Sequence, residues 1–188
     1  MKSPTQLPFA DDRILLNLAA YWSARRNGQV LPQRSDIDPL DMPRRLLPHL
    51  ALAEPAGGSD GAIRFRLVGT ELVQRIGRDA TGKTSADVMQ GGYRAYVEGL
   101  YAAVIAKARP LYAETTRQWP KEGSSRVRRL LLPVGDGHGG VGYVLTAQSY
   151  SPGWTEQGET PRPRQHLIAT EALEKGVLQA TLRGLLGE

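Results

Sequence analysis

Between residues 50 and 150 the chain consists of short strand-like runs joined by Gly-rich turns and interrupted by one long helical segment. The clearest strand is Ala62 to Val68, in which Ile63, Phe65 and Leu67 alternate with arginines, as in a strand with one buried face. Short turns join antiparallel strands, whereas parallel strands need crossover connections of about a dozen residues or more. The order of these segments therefore predicts an antiparallel sheet.

Five segments have the composition of strands and are bounded by turn residues: 50–54, 62–68, 111–119, 127–134 and 141–150. A short helix at 70–76 follows the second strand. The longest helix, Tyr93 to Ala108, comes next and ends before Pro110, which cannot continue a helix. These elements predict an α+β fold, with a five-stranded antiparallel sheet, helices on one face of it, and further helices at the N- and C-terminus.

The N-terminal helix has recognisable boundaries. Asp11 and Asp12 are suited to cap its start, and Asn27-Gly28 is suited to end it. Apolar residues recur along it at helical spacing: Ile14, Leu15, Leu18 and Trp22. This stripe needs a cover, which is either the chain's own core or a second copy of the chain.

The 188 residues suit one domain with extensions and divide into three parts. Residues 1–48 hold the N-terminal helix and a lead-in punctuated by prolines, in which Asp38 before Pro39 predicts a capped helical turn. Residues 49–152 form the predicted sheet core. Residues 153–188 hold a linker and a C-terminal helix from Leu167 to Leu186.

The composition excludes several kinds of site. The chain has no cysteine, which excludes disulfides, zinc–thiolate sites and cysteinyl-flavin photochemistry. No apolar run approaches the ~18 residues that a membrane span needs, and the start of the chain shows no secretory signal. We therefore expect a cytoplasmic protein without a membrane span.

The net charge of +5 and the pI near 9.7 make nucleic acid a partner to consider. The basic residues are nearly all arginines, however, and they are scattered in pairs such as Arg25-Arg26 and Arg128-Arg129. No long basic stripe or known nucleic-acid-reading motif is present. A nucleic-acid-binding adaptor is therefore an alternative function, and we expect no nucleic-acid partner.

The segment GRDATGKT, from Gly77 to Thr84, fits the G-x-x-x-x-G-K-[ST] pattern of a phosphate-binding loop. In such a loop the backbone around Gly82 would cradle phosphates, Lys83 would contact them, and Thr84 would bind Mg²⁺. That geometry needs a strand before the loop and a full helix after it, whereas residues 70–76 have helical spacing. A P-loop-like nucleotide-binding enzyme is the other alternative, and a turn between short helices is the main interpretation.

A long helix over a curved antiparallel sheet encloses a space suited to a small molecule. The candidate lining residues on the helix are Tyr96, Leu100, Tyr101 and Val104. Those on the last three strands are Tyr112, Leu131, Tyr143 and Leu145. Tyrosine combines an apolar ring with a hydroxyl that seeks a partner, so these side chains would orient a polar ligand. The alternative is that the same residues form only hydrophobic core.

The order and lengths of the elements resemble the PAS domain, and three stretches resemble a bacterial family of small single-domain PAS proteins. These stretches are YWSARRNGQVLPQRSDIDPLDMPRRLLPHLALAEP (21–55), FRLVGTELVQRIGRDATGK (65–83) and RLLLPVGDG (129–137). The first is the most specific, and the resemblance extends over residues 10–151. It implies a five-stranded sensory or regulatory domain, often dimeric, that acts through ligand or partner binding and has no chemistry of its own.

The resemblance also bears on cofactors. A haem-binding PAS domain typically has an axial histidine on its long helix, and His49, His138 and His166 all lie elsewhere, so haem is disfavoured. The hydrolase motif G-x-S-x-G is absent, and we assign no catalytic or metal-binding residue. We expect a non-catalytic PAS regulator in signal transduction, a homodimer that binds an unidentified small molecule or signalling protein.

Overall fold

A computed structural model describes residues 7–119, 123–152 and 164–186. Its helices are α1 (Arg13–Arg25), α2 (Thr70–Ile76), α3 (Ser85–Val88), α4 (Gly91–Lys107) and α5 (Thr170–Leu186). Its strands are β1 (Leu50–Pro55), β2 (Ile63–Val68), β3 (Leu111–Trp119), β4 (Gly123–Gly135), β5 (Val141–Pro152) and β6 (Arg164–Leu167). Short 3₁₀ turns lie between α1 and β1, and one of them starts at the predicted Asp38 cap.

The strands form one sheet in the order β2-β1-β5-β4-β3-β6, and all neighbours are antiparallel. The long insertion α2–α3–α4 connects β2, at one edge, to β3 near the other edge. β3 and β4 are neighbours in both sequence and sheet, and so are β4 and β5. The predicted α+β fold is confirmed.

The sheet in the described residues has a sixth strand that was not predicted. β6 pairs with β3 from Leu111↔Leu167 to Glu114↔Arg164, in a stretch that the sequence predicted as linker and helix start. Its first three side chains are exposed, so no apolar alternation marks it as a strand. The C-terminal helix accordingly begins at Thr170 rather than Leu167, and residues 153–163 of the predicted linker lie outside the described residues.

Helices cover both faces of the sheet. The face under α2, α3 and α4, called here the α4 face, has a buried core that includes Ile63, Phe65, Leu100, Val104 and Leu131. The other face, called the α1 face, packs against α1 and α5 through a core that includes Leu15, Trp22, Leu130, Leu132 and Leu173. The two terminal helices therefore lie on the side of the sheet opposite to α4.

Helix α1 is held to the sheet by its own apolar stripe. Asp12 caps it, accepting hydrogen bonds from the backbone N–H groups of Ile14 and Leu15 at 3.1 and 3.2 Å, and Asn27 after its end has a left-handed φ of 48°. Trp22 is fully buried, and its Nε1 donates to the Pro133 carbonyl of β4 at 2.7 Å. Of the two predicted covers for this stripe, the structure shows the chain's own core.

Gly69, which connects β2 to α2, has no room for a side chain. A Cβ at this position would lie 2.3 Å from the carbonyl oxygen of Leu47 and 2.4 Å from that of Pro48. Its N–H donates to the Leu50 carbonyl at 2.8 Å, so the backbone here is tied to the start of β1. The close approach of two backbone segments therefore requires glycine.

We expect Gly69→Ala to lower the free energy of unfolding by about 1–3 kcal/mol, because the new methyl group overlaps backbone atoms that cannot move independently. Gly99→Ala is the matched control: Gly99 is exposed within α4 and has open space around it. There alanine should raise the free energy of unfolding by about 0.5–1 kcal/mol. Urea unfolding followed by circular dichroism measures both, and equal stabilities of the two variants would contradict the prediction.

Candidate functional site

A cavity lies on the α4 face between α2, α4 and the sheet. Its apolar wall includes Phe65, Leu72, Val97 and Leu100. Its polar lining consists of Arg75, Arg117, Arg129, Tyr93, Tyr101, Tyr150, Thr146 and Gln148. The cavity volume is about 30 Å³, which is room for about two water molecules. Three arginines thus line a small space that contains no Asp or Glu side chain from the described residues.

Strand alternation places the polar groups on this face. Successive side chains of a strand point to opposite sides of the sheet, and the buried Leu131 of β4 belongs to the α4 face. Arg129 lies two residues before Leu131 and therefore points to the same side. Its neighbours across the sheet are Ala113 of β3 and Gln148 of β5. The guanidinium group is consequently placed in the middle of the sheet, under α4.

Arg129 is only 3% exposed, and its partners are neutral. Its Nη1 donates to Thr115 Oγ1 at 2.9 Å, and its Nη2 donates to the Tyr93 hydroxyl oxygen at 3.3 Å. Its Nε has no hydrogen-bond partner, and no carboxylate within residues 7–119, 123–152 and 164–186 forms an ion pair with it. Burial lowers the pKa of this guanidinium, but the tyrosines Tyr93, Tyr96 and Tyr150 raise it on balance, so the charge is retained.

Two more arginines stack on tyrosine rings at the cavity. The guanidinium carbon of Arg117 lies 3.8 Å from the centre of the Tyr93 ring, and that of Arg75 lies 4.2 Å from the centre of the Tyr150 ring. A cation is attracted to the electron-rich face of an aromatic ring, so these contacts stabilise both guanidinium groups. Arg75 Nε also forms an ion pair with Glu71 one helical turn away, at 3.1 Å. The charge of Arg75 is therefore balanced locally, unlike that of Arg129.

The tyrosine hydroxyls on α4 have different acidities. Burial raises the pKa of Tyr93, but the charges of Arg129 and Arg117 outweigh it, so this pKa lies below the ordinary value of 10.0. Burial raises the pKa of Tyr101 to about 12, and that side chain accepts a hydrogen bond from Thr146 Oγ1 at 3.1 Å. Burial also raises the pKa of Tyr96, whose buried hydroxyl has no hydrogen-bond partner among the described residues.

The structure brings together only some of the residues predicted to line a pocket. Leu100 and Tyr101 line the cavity. Three others pack in the core of the α4 face without lining the cavity: Tyr96, Val104 and Leu131. Their binding role stays a prediction.

The remaining three predicted residues, Tyr112, Tyr143 and Leu145, lie on the α1 face. Tyr112 is buried there, and its hydroxyl donates to Glu114 Oε2 at 2.7 Å. The prediction that these three lie beside α4 is therefore wrong. The register of β3, β4 and β5 makes their side chains point to the side of the sheet opposite to that of Leu131.

Sequence reasoning missed the charged part of the site. Arg75, Arg117, Arg129, Tyr93 and Tyr150 were not among the candidates. One signal was available. Arg129 lies two residues from Leu131 and so points to the same face, and Leu131 is the one strand residue that was correctly placed on the α4 face. An arginine two positions from a buried leucine in a central strand indicates a buried charge, which needs a partner or a function.

The loop Gly77–Thr84 has a structure unlike that of a phosphate-binding loop. Helix α2, rather than a strand, precedes it, and α3 after it has four residues. The N–H of Gly82 donates to the Phe65 carbonyl at 2.7 Å and is thus committed to β2. The Thr84 hydroxyl donates to Asp87 at 2.7 Å as part of a capping box, and Lys83 is exposed. The loop therefore joins two helices, as the main interpretation expected.

The histidines serve local contacts. His49 Nδ1 lies 3.0 Å from the Gln148 carbonyl oxygen, and His138 is exposed in its glycine turn. His166, predicted in the linker, stacks on Tyr112 with ring centres 5.5 Å apart. In the described ranges, no group of three His, Asp or Glu side chains is arranged to hold a metal ion. No helix in the same ranges is long and apolar enough to cross a membrane.

Much of the positive charge is paired. At least seven arginines form ion pairs with carboxylates, and these are Arg25, Arg26, Arg66, Arg75, Arg94, Arg126 and Arg128. Pairing of this kind lowers the positive potential that a nucleic-acid backbone would meet. The charges of these seven arginines are therefore offset by carboxylates of the same chain.

Tyr93 should ionise at lower pH than an ordinary tyrosine, because two guanidinium groups stabilise its phenolate. We expect an ultraviolet titration of tyrosinate to show one component below the others, and Tyr93→Phe to remove it. Tyr101→Phe is the matched control and should leave that component in place, since the pKa of Tyr101 is about 12. Identical titrations of the parent and Tyr93→Phe below pH 10 would contradict this assignment.

The chain has similarity to known proteins. A family model of the PAS domain matches residues 11–145. Among solved structures, the chain is similar to VqmA of Vibrio cholerae, with 12% identity and a TM-score of 0.47 over 57% of this chain and 47% of VqmA. It thus spans about half of VqmA. A PAS domain of BvgS from Bordetella pertussis has 18% identity and a TM-score of 0.41, over 56% of this chain and 80% of that domain.

The search of curated proteins finds no match. The family model, in contrast, extends from the N-cap region of α1 into β5 and so includes most of the sheet and all of α4. A match over this much of the sequence identifies the family by itself. The chain belongs to the PAS domain family.

Proposed function

We propose that this PAS domain is a sensory module that binds a small molecule in the α4-face cavity and acts through that binding rather than through catalysis. The observation that carries the proposal is the cavity itself, in which Arg129 and several tyrosines converge within an apolar wall. A few polar groups in an otherwise apolar concave site are typical of small-molecule recognition. The family as a whole supports a sensory or regulatory role.

Strand β4 provides a physical connection from the cavity to α1. Arg129 points into the cavity. The residue before it, Arg128, points to the opposite face and donates to Asp11 at 3.0 and 3.1 Å. Arg128 also lies 3.7 Å from Asp12, the N-cap of α1. A shift of β4 on ligand binding would therefore act directly on the first turn of α1. A ligand changes the equilibrium between two positions of β4 only if it binds them with different affinity.

The small volume implies that a ligand larger than a few atoms binds a more open arrangement. The wall on one side is α2, a helix of only seven residues. Displacement of α2 would enlarge the cavity while leaving the sheet intact. The apparent affinity then equals the affinity of the open state multiplied by the fraction of molecules that are open.

We also propose that the protein is a cytoplasmic homodimer, as the family resemblance suggested. In the described part of the chain, Val30, Leu40 and Leu178 are the large apolar side chains with high exposure, and Leu178 lies on α5 at 60% exposure. An α5 contact between copies would cover this leucine.

Light scattering on a size-exclusion column should give twice the mass of 20.5 kDa, and Leu178→Glu should shift the measured mass toward that of the monomer. A strictly monomeric parent at high concentration would contradict the dimer.

The cavity proposal is tested by filling the cavity. Val97 lines it, whereas Val30 is 76% exposed in a turn. We expect Val97→Phe to occupy the ligand space, and Val30→Phe to serve as the matched control. Native mass spectrometry of freshly purified protein should show a retained small molecule, or a thermal-shift screen should find one that stabilises the parent and Val30→Phe in a concentration-dependent way.

Two results would overturn the proposal. A ligand that binds Val97→Phe as tightly as the parent would place the binding site elsewhere. A parent that retains no small molecule and responds to none across a broad screen would remove the sensory role based on this cavity. Circular dichroism establishes beforehand that Val97→Phe is folded.

A further inference from the structure

The charge of Arg129 is buried without a counter-ion. Removing an ion from water is costly in a protein interior, and an arginine at such a site is normally paired with a carboxylate or phosphate. Here the two contacts, Thr115 and Tyr93, supply only neutral oxygen acceptors. Glu71, on the helix α2 that forms one wall of the cavity, pairs with Arg75.

One buried donor of Arg129 is also without an acceptor. Its Nε–H has no hydrogen-bond partner among the described residues. A buried donor that lacks an acceptor carries the full cost of its lost hydration. A group with several acceptor oxygens and one negative charge would accept from this donor and also balance the guanidinium charge.

The wall of the cavity defines the rest of the ligand. Leu72, Val97 and Leu100 are apolar, and the Tyr93 and Tyr150 rings are already covered on one side by arginines. A highly charged phosphate would leave oxygens against these apolar groups. A carboxylate carries a single charge in a planar form that matches the fork of a guanidinium group.

We propose that the ligand is a small organic monocarboxylate, with its carboxylate on Arg129 and its apolar body against α2 and α4. This inference rests on the proposed function, since it names the chemical class of the molecule that the α4-face cavity would sense. Arg129 provides selectivity for the anion, and the apolar wall provides selectivity for the body.

The test compares each acid with its neutral amide. Isothermal titration calorimetry with hexanoate, benzoate, hexanamide and benzamide measures the contribution of the charge at nearly constant shape. We expect at least one acid to bind about tenfold or more tightly than its amide, which is the size expected for a hydrogen bond to a charged group. Chloride and inorganic phosphate, which lack an apolar body, should bind more weakly than that acid.

Three variants assign the preference to Arg129. Arg129→Met should reduce the affinity for the acid about tenfold or more and the affinity for the amide much less, so that the preference for the acid is lost, an outcome that general damage to the cavity would not produce. Arg129→Lys keeps the charge without the fork and should retain only part of the preference. Arg126→Met is the matched control on the same strand: it lies on the α1 face, where it pairs with Glu114 at 2.8 Å, and should leave the preference intact.

The outcomes separate this inference from the function on which it rests. Equal affinity for acid and amide, or a retained neutral molecule in native mass spectrometry, would overturn the carboxylate and leave the sensory cavity standing. Equal affinity for chloride, phosphate and the acids would show an ion site and also overturn it. A preference that survives in both Arg129 variants would assign the anion to another residue. Absence of binding by all probes and of any retained molecule would overturn both proposals.

Discussion

The central strands β4 and β5 are buried on both faces, and most other features follow from that constraint. Each side chain along them must be apolar or must find a partner in the layer it enters. On the α1 face this is achieved by Leu130 and Leu132, and by Ser149, which donates to the Asp12 carboxylate at the start of α1. On the α4 face Leu131 follows the same rule, whereas Arg129 finds only neutral partners for its charge. The candidate site is the place where the sheet buries a charge without a counter-ion.

Much of the fold could be predicted from the sequence, because local signals determine it. β3 and α2 have their predicted bounds, since a proline or glycine lies next to their ends and their spacing is regular. Long-range information was harder to obtain. In the run RRLLLPV of β4 leucines point to both faces, so the sequence has no alternation that would tell the faces apart. Tyr112 and Leu145 were therefore assigned to the wrong side until the register with Leu131 was known.

The charged half of the site was missed for a related physical reason. Arg117 and Arg129 look like surface residues in sequence, because arginine is mostly exposed in proteins. Arg129 is buried and Arg117 is half-buried, and both contact Tyr93 of α4, which lies far away in the chain. β6 was missed because its backbone pairing with β3 does not need apolar side chains. In each case the decisive contact is between segments that the sequence alone does not bring together.

The loop from Gly77 to Thr84 covers the edge strand β2 of the sheet. Phe65 of β2 donates its N–H to the Lys83 carbonyl at 2.9 Å and receives the N–H of Gly82, and Arg64 forms a bridge with Thr84. At the opposite margin β6 occupies the free side of β3. Unpaired strand margins are templates for intermolecular strand addition and aggregation. A motif that resembles a nucleotide loop thus shields part of β2 from other chains, and at the opposite edge the four-residue strand β6 leaves only a short edge.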